Sequence, residues 1–339
     1  MQYSITTTHQ RPEMNPEIKK KNVKIVRREV MVNIVGRDRL KFSGEENFSV
    51  DDTISHWIKA MDERVSSEPD IIVLPEVSDI YEGVMSPESK RKWLSMRGDS
   101  VLNAFRDYAQ KHHTYLVYPT YRSIGGDKFQ NCSILIDREG DVVAIYNKVF
   151  PTIPEMEFGI VPGSGPVIAE TDFGRIGFAI CFDLNFWELL EGYAKAKPDV
   201  IAFSGMYHGG PMQTIWAYRA KAFMLTATAG YLEKNIIAPD GEIRRQEYTY
   251  YDTIVEKINT NCTLVHLDYN RAKIMKTLEK YGRRIHMHCT SGLGSVLLTS
   301  VDESLPIAEV VRDMDLEPFA DYYKRSFDIA ASLRPGNTY

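Results

Sequence analysis

Short apolar runs alternate along this chain with longer stretches in which apolar residues recur every three or four positions. Residues 23–35 read as strand, in one or two pieces. Ile54, Trp57, Ile58, Met61 and Val65 then form one apolar stripe, on a helix opened by Asp51-Asp52-Thr53. Residues 71–74 predict a buried strand closed by Pro75-Glu76, and residues 100–112 a helix with Val101, Phe105, Tyr108 and His112 on one face. Strands follow at 114–118, 131–137 and 142–146, the last two joined as a hairpin across Gly140. Residues 152–165, rich in Pro and Gly, predict a loop. The apolar run 176–180 predicts a fully buried strand, and 184–197 a helix with Phe186, Leu189, Leu190 and Tyr193 at helical spacing and Pro198 as its stop. Strand 200–203, helix 212–225, and a strand at Ile236-Ile237 leading into the Asp240-Gly241 turn come next. Beyond Thr263 the pattern gives strand 264–267, a basic helix over 273–281, strand 295–299 and a helical tail over 317–333.

Strands and helices alternating in this way predict an α/β architecture, and the hairpins predict mixed sheets. Three divisions are expected. Residues 1–22, polar and carrying Pro12, Pro16 and Lys19-Lys20-Lys21, form an N-terminal extension: an arm on the surface or on a partner subunit, or a solvated tail. Residues 23–300 form the main domain. Residues 301–339 form a tail whose Phe319, Tyr322, Phe327 and Ile329 must pack on the body or on a second subunit, which favours a homodimer or larger homo-oligomer.

A content of 43% hydrophobic and 26% charged residues is that of a globular protein, and no apolar run is long enough to span a bilayer. The net charge of -5 argues against a nucleic-acid partner. The N-terminus lacks the apolar core of a signal peptide. Cys132, Cys181, Cys262 and Cys289 are widely spread without a CxxC pair, which reads as reduced thiols and a cytoplasmic location.

Glu76, Lys148 and Cys181 each end a strand-like run, and in α/β sheets sites gather at strand ends. A lone cysteine in an apolar run is ordinarily a core residue. Cys181, however, is expected where a strand gives way to a helix, a setting that lowers a thiol's pKa and can hold a developing oxyanion. A thiolate nucleophile, a carboxylate to take and return its proton, and an ammonium to hold charge on a carbonyl oxygen make a complete set for acyl transfer. Tyr207 and His208, just past a strand end beside Gly209-Gly210, are candidates for a substrate pocket, although loop aromatics are common without one. His286 and His288 would share a strand face, but with no third ligand near in sequence they imply no metal. Ser291-Gly-Leu-Gly294-Ser lacks the GxGxxG pattern and implies no cofactor.

The segments Leu74-Pro75-Glu76, Asn147-Lys148-Val-Phe-Pro-Thr152 and Ile180-Cys181-Phe-Asp183-Leu-Asn-Phe186 resemble, in order and rough spacing, those of the nitrilase-like carbon–nitrogen hydrolase superfamily. The resemblance extends through Pro154–Gly163, Ser204–Gly210 and the helix carrying Arg219, and covers about residues 23–270. It implies a four-layer α-β-β-α sandwich and hydrolysis of a non-peptide C–N bond through a cysteine thioester. It implies Glu76 as general base, Lys148 as oxyanion stabiliser, Cys181 as nucleophile, Glu155 as a second glutamate touching substrate and lysine, and the Phe182 N–H as an oxyanion donor. Asp183, Glu188 and Arg219 match family positions and are read as buried partners bracing the turn. Where many relatives have Phe-Pro-Glu, this chain has Phe186-Trp187-Glu188. Phe182-Asp183 directly after the cysteine resembles the amide-cleaving members, whereas nitrile-cleaving ones usually carry Trp-Glu. The expected substrate is a small amide or ureide, cleaved with no cofactor and no metal. N-carbamoyl hydrolase, nitrilase and non-catalytic scaffold are the alternatives.

Overall fold

The computed structural model describes residues 16–25, 28–83, 85–247, 250–289 and 292–334. From the N-terminus its elements are β1 (Glu29–Val35), α1 (Val50–Asp62), β2 (Ile71–Val73), α2 (Pro87–Arg97), α3 (Ser100–His112), β3 (Tyr115–Ser123), β4 (Phe129–Ile136), β5 (Val142–Asn147) and α4 (Ile153–Phe158). There follow β6 (Ile168–Thr171), β7 (Gly174–Ile180), α5 (Trp187–Ala196), β8 (Val200–Gly205), α6 (Met212–Ala220), β9 (Phe223–Thr228), β10 (Lys234–Ile237), β11 (Ile243–Glu247) and β12 (Thr253–Asn259). The C-terminal part holds β13 (Cys262–His266), α7 (Arg271–Tyr281), β14 (Ile285–Cys289), β15 (Ser295–Ser300), α8 (Ile307–Asp313) and α9 (Phe319–Leu333).

Two six-stranded sheets, β12-β1-β2-β3-β4-β5 and β11-β10-β9-β8-β7-β6, carry the fold. Each has three parallel strands at its centre, β1-β2-β3 and β7-β8-β9, with antiparallel neighbours outside. The inner faces meet through Val30, Val32, Ile34, Val73 and Val117 on one side and Phe178, Ile180 and Leu225 on the other, all fully buried. On the outer face of the first sheet lie α1 and α3, whose Trp57, Met61, Val101 and Phe105 cover Ile72, Leu116 and Ile134. Leu189, Leu190 and Tyr193 of α5 and Trp216 of α6 cover the second sheet. The result is the four-layer α-β-β-α sandwich, as expected. Beyond it, β13, β15 and β14 form a third sheet that closes with α7 and α8 over its own apolar core, including Val265, Ile274, Leu298 and Val310.

Some elements differ from the sequence reading, for identifiable reasons. Strand is found only at Glu29–Val35 within 23–35, residues 26 and 27 lying outside the described residues. The helix expected over 212–225 stops at Ala220: Lys221 turns into the left-handed region (φ 58), and Phe223 begins β9. Its apolar run fits a buried strand as well as a helix, and periodicity cannot separate the two. Three helices were not foreseen. The two turns of α8 are too short to show a period. In α2 charged residues hide the period, although Ser86 caps it and Pro87 opens it. In the expected 152–165 loop, α4 is a short helix started by a Thr152–Glu155 capping box. The helix expected from Leu184 starts instead at Trp187, after a 3₁₀ turn over Cys181–Asn185.

Of the N-terminal extension, residues 16–22 are described, and they lie along the exposed edge of β5. The Lys19 N–H donates to the Val142 carbonyl at 2.9 Å, and Lys21 pairs with Asp137 and Asp141. Residues 1–15 lie outside the described residues. The tail helix α9 rests its first turn on the body, with Phe319 against Tyr218 and Tyr322 stacked on His266. Further along, Phe327, Ile329 and Leu333 face outward. Among the described residues all four cysteines are free, and no helix is long and apolar enough to cross a membrane.

The loop that follows β2 is anchored by a buried ion pair. Arg97 of α2 meets Asp79 at 2.8 Å, and Asp79 also accepts from the Tyr118 hydroxyl at 2.6 Å and the Thr120 hydroxyl at 2.7 Å. Removing one member of such a pair leaves the other charge buried and unanswered. Asp79→Ala is therefore expected to cost about 3–5 kcal/mol of unfolding free energy in a urea titration; a loss below about 1 kcal/mol contradicts this account.

Candidate active site

Parallel strands place their C-terminal ends together, and three of those ends supply the site. Glu76 stands three residues beyond β2, Lys148 directly beyond β5 and Cys181 directly beyond β7. The two sheets are tied together at this end by the Ser204 hydroxyl of β8, which donates to the Leu74 carbonyl at 2.8 Å.

Lys148, 1% exposed, lies at the centre. Its Nζ donates to Glu76 Oε1 at 2.9 Å and to Glu155 Oε2 at 2.7 Å. Asn131 of β4 bridges the same carboxylates, its Nδ2 donating to Glu76 Oε1 at 2.8 Å and to Glu155 Oε1 at 2.7 Å. The second oxygen of Glu76 accepts from the Met206 amide at 3.0 Å, and Glu155 Oε2 accepts from the Thr152 amide at 2.8 Å. Every one of these contacts lowers the energy of a carboxylate or an ammonium. Burial by itself would lower the lysine's pKa, but Glu76, Cys181 and Glu155 together raise it above its ordinary value. Burial would raise that of Glu155, but Lys148 and the Thr152 and Asn131 hydrogen bonds hold it below the usual carboxylate range.

Cys181 faces Glu76 and the Met206 amide. The thiol's pKa is not lowered, contrary to the sequence-based expectation. Burial pushes it up, the adjacent Glu76 carboxylate adds to the rise, and Lys148 only partly offsets them. The resting group is a thiol beside a carboxylate. The expected helix terminus is also one turn away: the backbone passes from strand into the 3₁₀ turn with Cys181 itself in the left-handed region at φ 48. The first N–H groups of such a turn, that of Phe182 among them, have no partner within it and point away from the turn.

Asp183 holds this turn in place. Its carboxylate accepts from the Tyr146 hydroxyl at 2.6 Å, the Ile180 amide at 2.9 Å and the Phe150 amide at 2.9 Å, so it ties the turn to both sheets. It is the buried brace anticipated from the sequence. The other two residues read as braces are not. Glu188 is exposed, and Arg219 makes a two-pronged pair with Glu191 at 2.7 Å that links α6 to α5.

Phe182 and Tyr207 line the outer part of the site, each 38% exposed. The Tyr207 hydroxyl reaches Asn185 at 3.4 Å, across the turn that carries Cys181. His208 is engaged elsewhere: its Nε2 lies 2.7 Å from Glu233 and 3.3 Å from Asn235, and its Nδ1 accepts from the Gly210 amide. Asn131 is the site residue that sequence reasoning missed, since an asparagine at the head of a strand carries no motif of its own.

His288 lies on β14, with the Asp240 and Glu242 side chains near enough for the three to share a cation. The carboxylates come from the β10–β11 turn, more than 40 residues away in sequence, which is why no third ligand was foreseen. The Arg244 guanidinium already occupies the middle, bonded to Asp240 at 2.5 Å, Glu242 at 3.0 Å and His288 at 3.1 Å. A fixed positive charge there answers the carboxylates as a metal would, and the cluster pins the third sheet to the second.

Residues 43–246 match the carbon-nitrogen hydrolase family, and the chain belongs to that family. Its sandwich is similar to that of an amidase from Nesterenkonia sp., with a TM-score of 0.59 at 14% identity over 75% of this chain and 98% of that one. It is similar also to the C. elegans NitFhit protein, with a TM-score of 0.61 at 17% identity over 78% and 69% of the two chains. Among curated relatives, the chloroplastic omega-amidase of Arabidopsis thaliana is 24% identical over 217 residues, 56% of this chain and 58% of that one. The deaminated glutathione amidase of Homo sapiens is 26% identical over 146 residues, 37% of this chain and 43% of that one. The chain spans about half the length of these curated relatives.

The raised pKa of Asp183 makes the brace pH-dependent. Burial pushes it up to about 6 against the pull of Tyr146, Ile180 and Phe150. The unfolded chain releases this proton near its ordinary value of 3.8, whereas the native state holds it to about 6. This group's contribution to stability is thus fully present below the unfolded pKa and lost as pH rises through the native one. Measured as the difference in unfolding free energy between wild type and Asp183→Asn, it is expected to fall by roughly 2–3 kcal/mol from pH 4 to pH 7. A flat difference would refute the assignment.

Proposed function

We propose that the protein hydrolyses the C–N bond of a small amide through a thioester on Cys181. The observation that carries this reading is the buried Lys148 ammonium between Glu76 and Glu155, with the thiol facing Glu76. The names of the relatives, omega-amidase and deaminated glutathione amidase, agree with an amide as substrate class. Phe182-Asp183 after the cysteine agrees with an amide over a nitrile.

The geometry supports a course in two halves. As Sγ attacks the amide carbonyl carbon, Glu76 takes the thiol proton. This suits a thiol whose pKa is too high for it to ionise unaided. The carbonyl oxygen gains the negative charge, held by Lys148 and the Phe182 N–H. The C–N bond then breaks, Glu76 gives its proton to the departing ammonia or amine, and the acyl group remains on Sγ. In the second half Glu76 takes a proton from water, hydroxide adds to the thioester carbonyl, the C–S bond breaks, and the proton returns to the sulfur as the acid leaves. Lys148 stays an ammonium throughout, since its two carboxylates hold its proton. Glu155 is assigned to the substrate side of Lys148, with Phe182 and Tyr207 around the entrance.

Two substitutions test this. Cys181→Ala should abolish ammonia release from every amide accepted, with the circular dichroism spectrum unchanged. Lys148→Arg keeps the charge but not the compact donor, and should lower kcat by about 10²-fold, the scale of a lost oxyanion donor. Mass spectrometry of the wild type quenched during turnover should find the acyl mass on the peptide containing Cys181. Turnover surviving in Cys181→Ala would dismiss the mechanism.

A homo-oligomer belongs to the same proposal. Phe327, Ile329 and Leu333 present an uncovered apolar face on a helix with no buried residue of its own, and a second copy of this chain is the proposed cover. Deleting the chain from Phe319 onward should then yield monomers in light scattering; an unchanged particle mass would rule that cover out.

A further inference from the structure

Among the four side chains that meet at the centre of the site, that of Asn131 alone belongs to a strand; Glu76 and Lys148 lie beyond strand ends and Glu155 on α4. Its place on β4 is fixed from both sides. It is paired with Tyr121 of β3, and its carbonyl accepts from the Lys148 amide at 2.8 Å. Its side chain then meets both carboxylates that hold the lysine's ammonium, with Nδ2 2.8 Å from Glu76 Oε1 and 2.7 Å from Glu155 Oε1. Both hydrogens on Nδ2 are thereby used. The same contacts fix the amide's orientation, because turned end for end it would set an oxygen against two carboxylate oxygens. Among the described residues its Oδ1 is buried and has no hydrogen-bond partner. A buried acceptor without a donor is costly, and the amide tolerates one here to keep its nitrogen on the glutamates.

These bonds make the two oxygens of Glu76 unequal. A carboxylate oxygen offers two lone pairs. Those of Oε1 are both taken, one by Lys148 at 2.9 Å and one by Asn131 at 2.8 Å. Oε2 accepts a single bond, from the Met206 amide at 3.0 Å. That amide also reaches the Cys181 sulfur, and the thiol lies within hydrogen-bond reach of Glu76. The lone pair left open on Glu76 is therefore on the oxygen that shares Met206 with the thiol.

We propose that Asn131 is a positioning residue for the proton transfer: by closing Oε1 together with Lys148, it makes Oε2 the oxygen that takes the Cys181 proton and later returns it to the leaving nitrogen. This rests on the amide-hydrolase reading above. In the first step the S–H bond breaks, an Oε2–H bond forms, and the sulfur electron pair goes to the carbonyl carbon. When the C–N bond breaks, the Oε2–H proton passes to nitrogen. Without the Asn131 donor, Oε1 keeps an open lone pair, and a proton settled there is turned toward Lys148 and away from sulfur. An amide closes that oxygen without bringing a charge. A lysine or arginine in its place would stabilise the ionised carboxylate further and weaken it as a base.

The test separates the donor from the space it fills. Asn131→Asp keeps the shape and replaces the nitrogen by an oxygen, Asn131→Ser keeps one donor on a smaller side chain, and Asn131→Ala keeps none. If the nitrogen matters, kcat should be highest in the wild type, lower in Asn131→Ser and lowest in the other two, by about tenfold or more. A space-filling role would instead leave Asn131→Asp close to the wild type. Losing an N–H bonded to ionised carboxylates favours their protonated forms. The acid limb of kcat/KM against pH should therefore move up by about half a unit or more in Asn131→Ala. General damage lowers the profile without moving that limb. If Asn131→Ala does not fold, Asn131→Ser serves for this measurement, with a smaller move in the same direction. An unmoved limb, or wild-type rates in Asn131→Asp, would overturn the assignment and leave amide hydrolysis standing. Alkylation of Cys181 by iodoacetamide, followed by peptide mass spectrometry, reads the same base without an amide. Its onset with rising pH should move up in Asn131→Ala, while labelling of the exposed Cys289 keeps its own pH dependence. If the wild type hydrolyses no amide but this onset moves, the positioning role stands and the hydrolase reading fails; if the onset stays where it is, the positioning role falls.

Discussion

One buried ammonium sets the terms for the rest of the molecule. Lys148 is nearly without solvent, and an ion of its kind is stable there only when opposite charge is held against it in fixed positions. The sandwich supplies two such charges, one on the loop after β2 and one on the short helix after β5. Neither glutamate would be stable alone either, because two carboxylates sharing one asparagine amide would repel. Each of the three requires the others, so the loops that carry them can close in only one arrangement. The second sheet must then bring β7 and β8 to the same end, since Glu76 also takes the Met206 amide and faces Cys181.

The same electrostatics explain why Cys181 rests as a thiol. A helix terminus and a lysine are the usual means of lowering a cysteine's pKa. Here the nearer charge is Glu76, and burial acts in the same direction. In the proposed mechanism, the carboxylate that resists thiolate formation at rest is also the group that takes the proton during attack. On that proposal the arrangement avoids a standing negative charge on sulfur and forms it only as the carbonyl oxygen gains stabilisation from the opposite side.

The catalytic candidates were legible in the sequence because each follows an apolar run of strand type, and such runs are the strongest signal a core strand gives. The sandwich was legible through its family resemblance, while the residues by themselves argued only for a mixed α/β fold. What could not be read had no periodic signal. Asn131 is polar at a strand end and gains its role only from two glutamates that are distant in sequence. In α2 the buried Trp93, Leu94 and Arg97 are separated by charged residues, so the helix shows no apolar stripe. Arg219 and Glu188 occupy family positions, yet burial decides whether such residues brace a site, and both stand too near solvent to do so. His288, Asp240 and Glu242 meet only because the third sheet folds back on the second.

Two residues of this site hold backbone conformations that side chains with a Cβ seldom adopt: Val77 at φ 44, directly after Glu76, and Cys181 at φ 48. For a β-branched residue this is a strained position, and such strain persists only where the surroundings over-determine it. In both loops the restraint comes two residues later, from a buried aspartate. Asp79 is locked by Arg97, Tyr118 and Thr120; Asp183 is locked by Tyr146 and two backbone amides. An aspartate in that position can fix a sharp turn because its two oxygens reach several donors at once, which an apolar residue cannot do. The strain has a geometric use. A strand that ended in a relaxed extended conformation would carry Glu76 and Cys181 along its own axis, away from each other. The left-handed step turns each chain abruptly at the sheet end, so that a carboxylate from one sheet and a thiol from the other face across the gap between them.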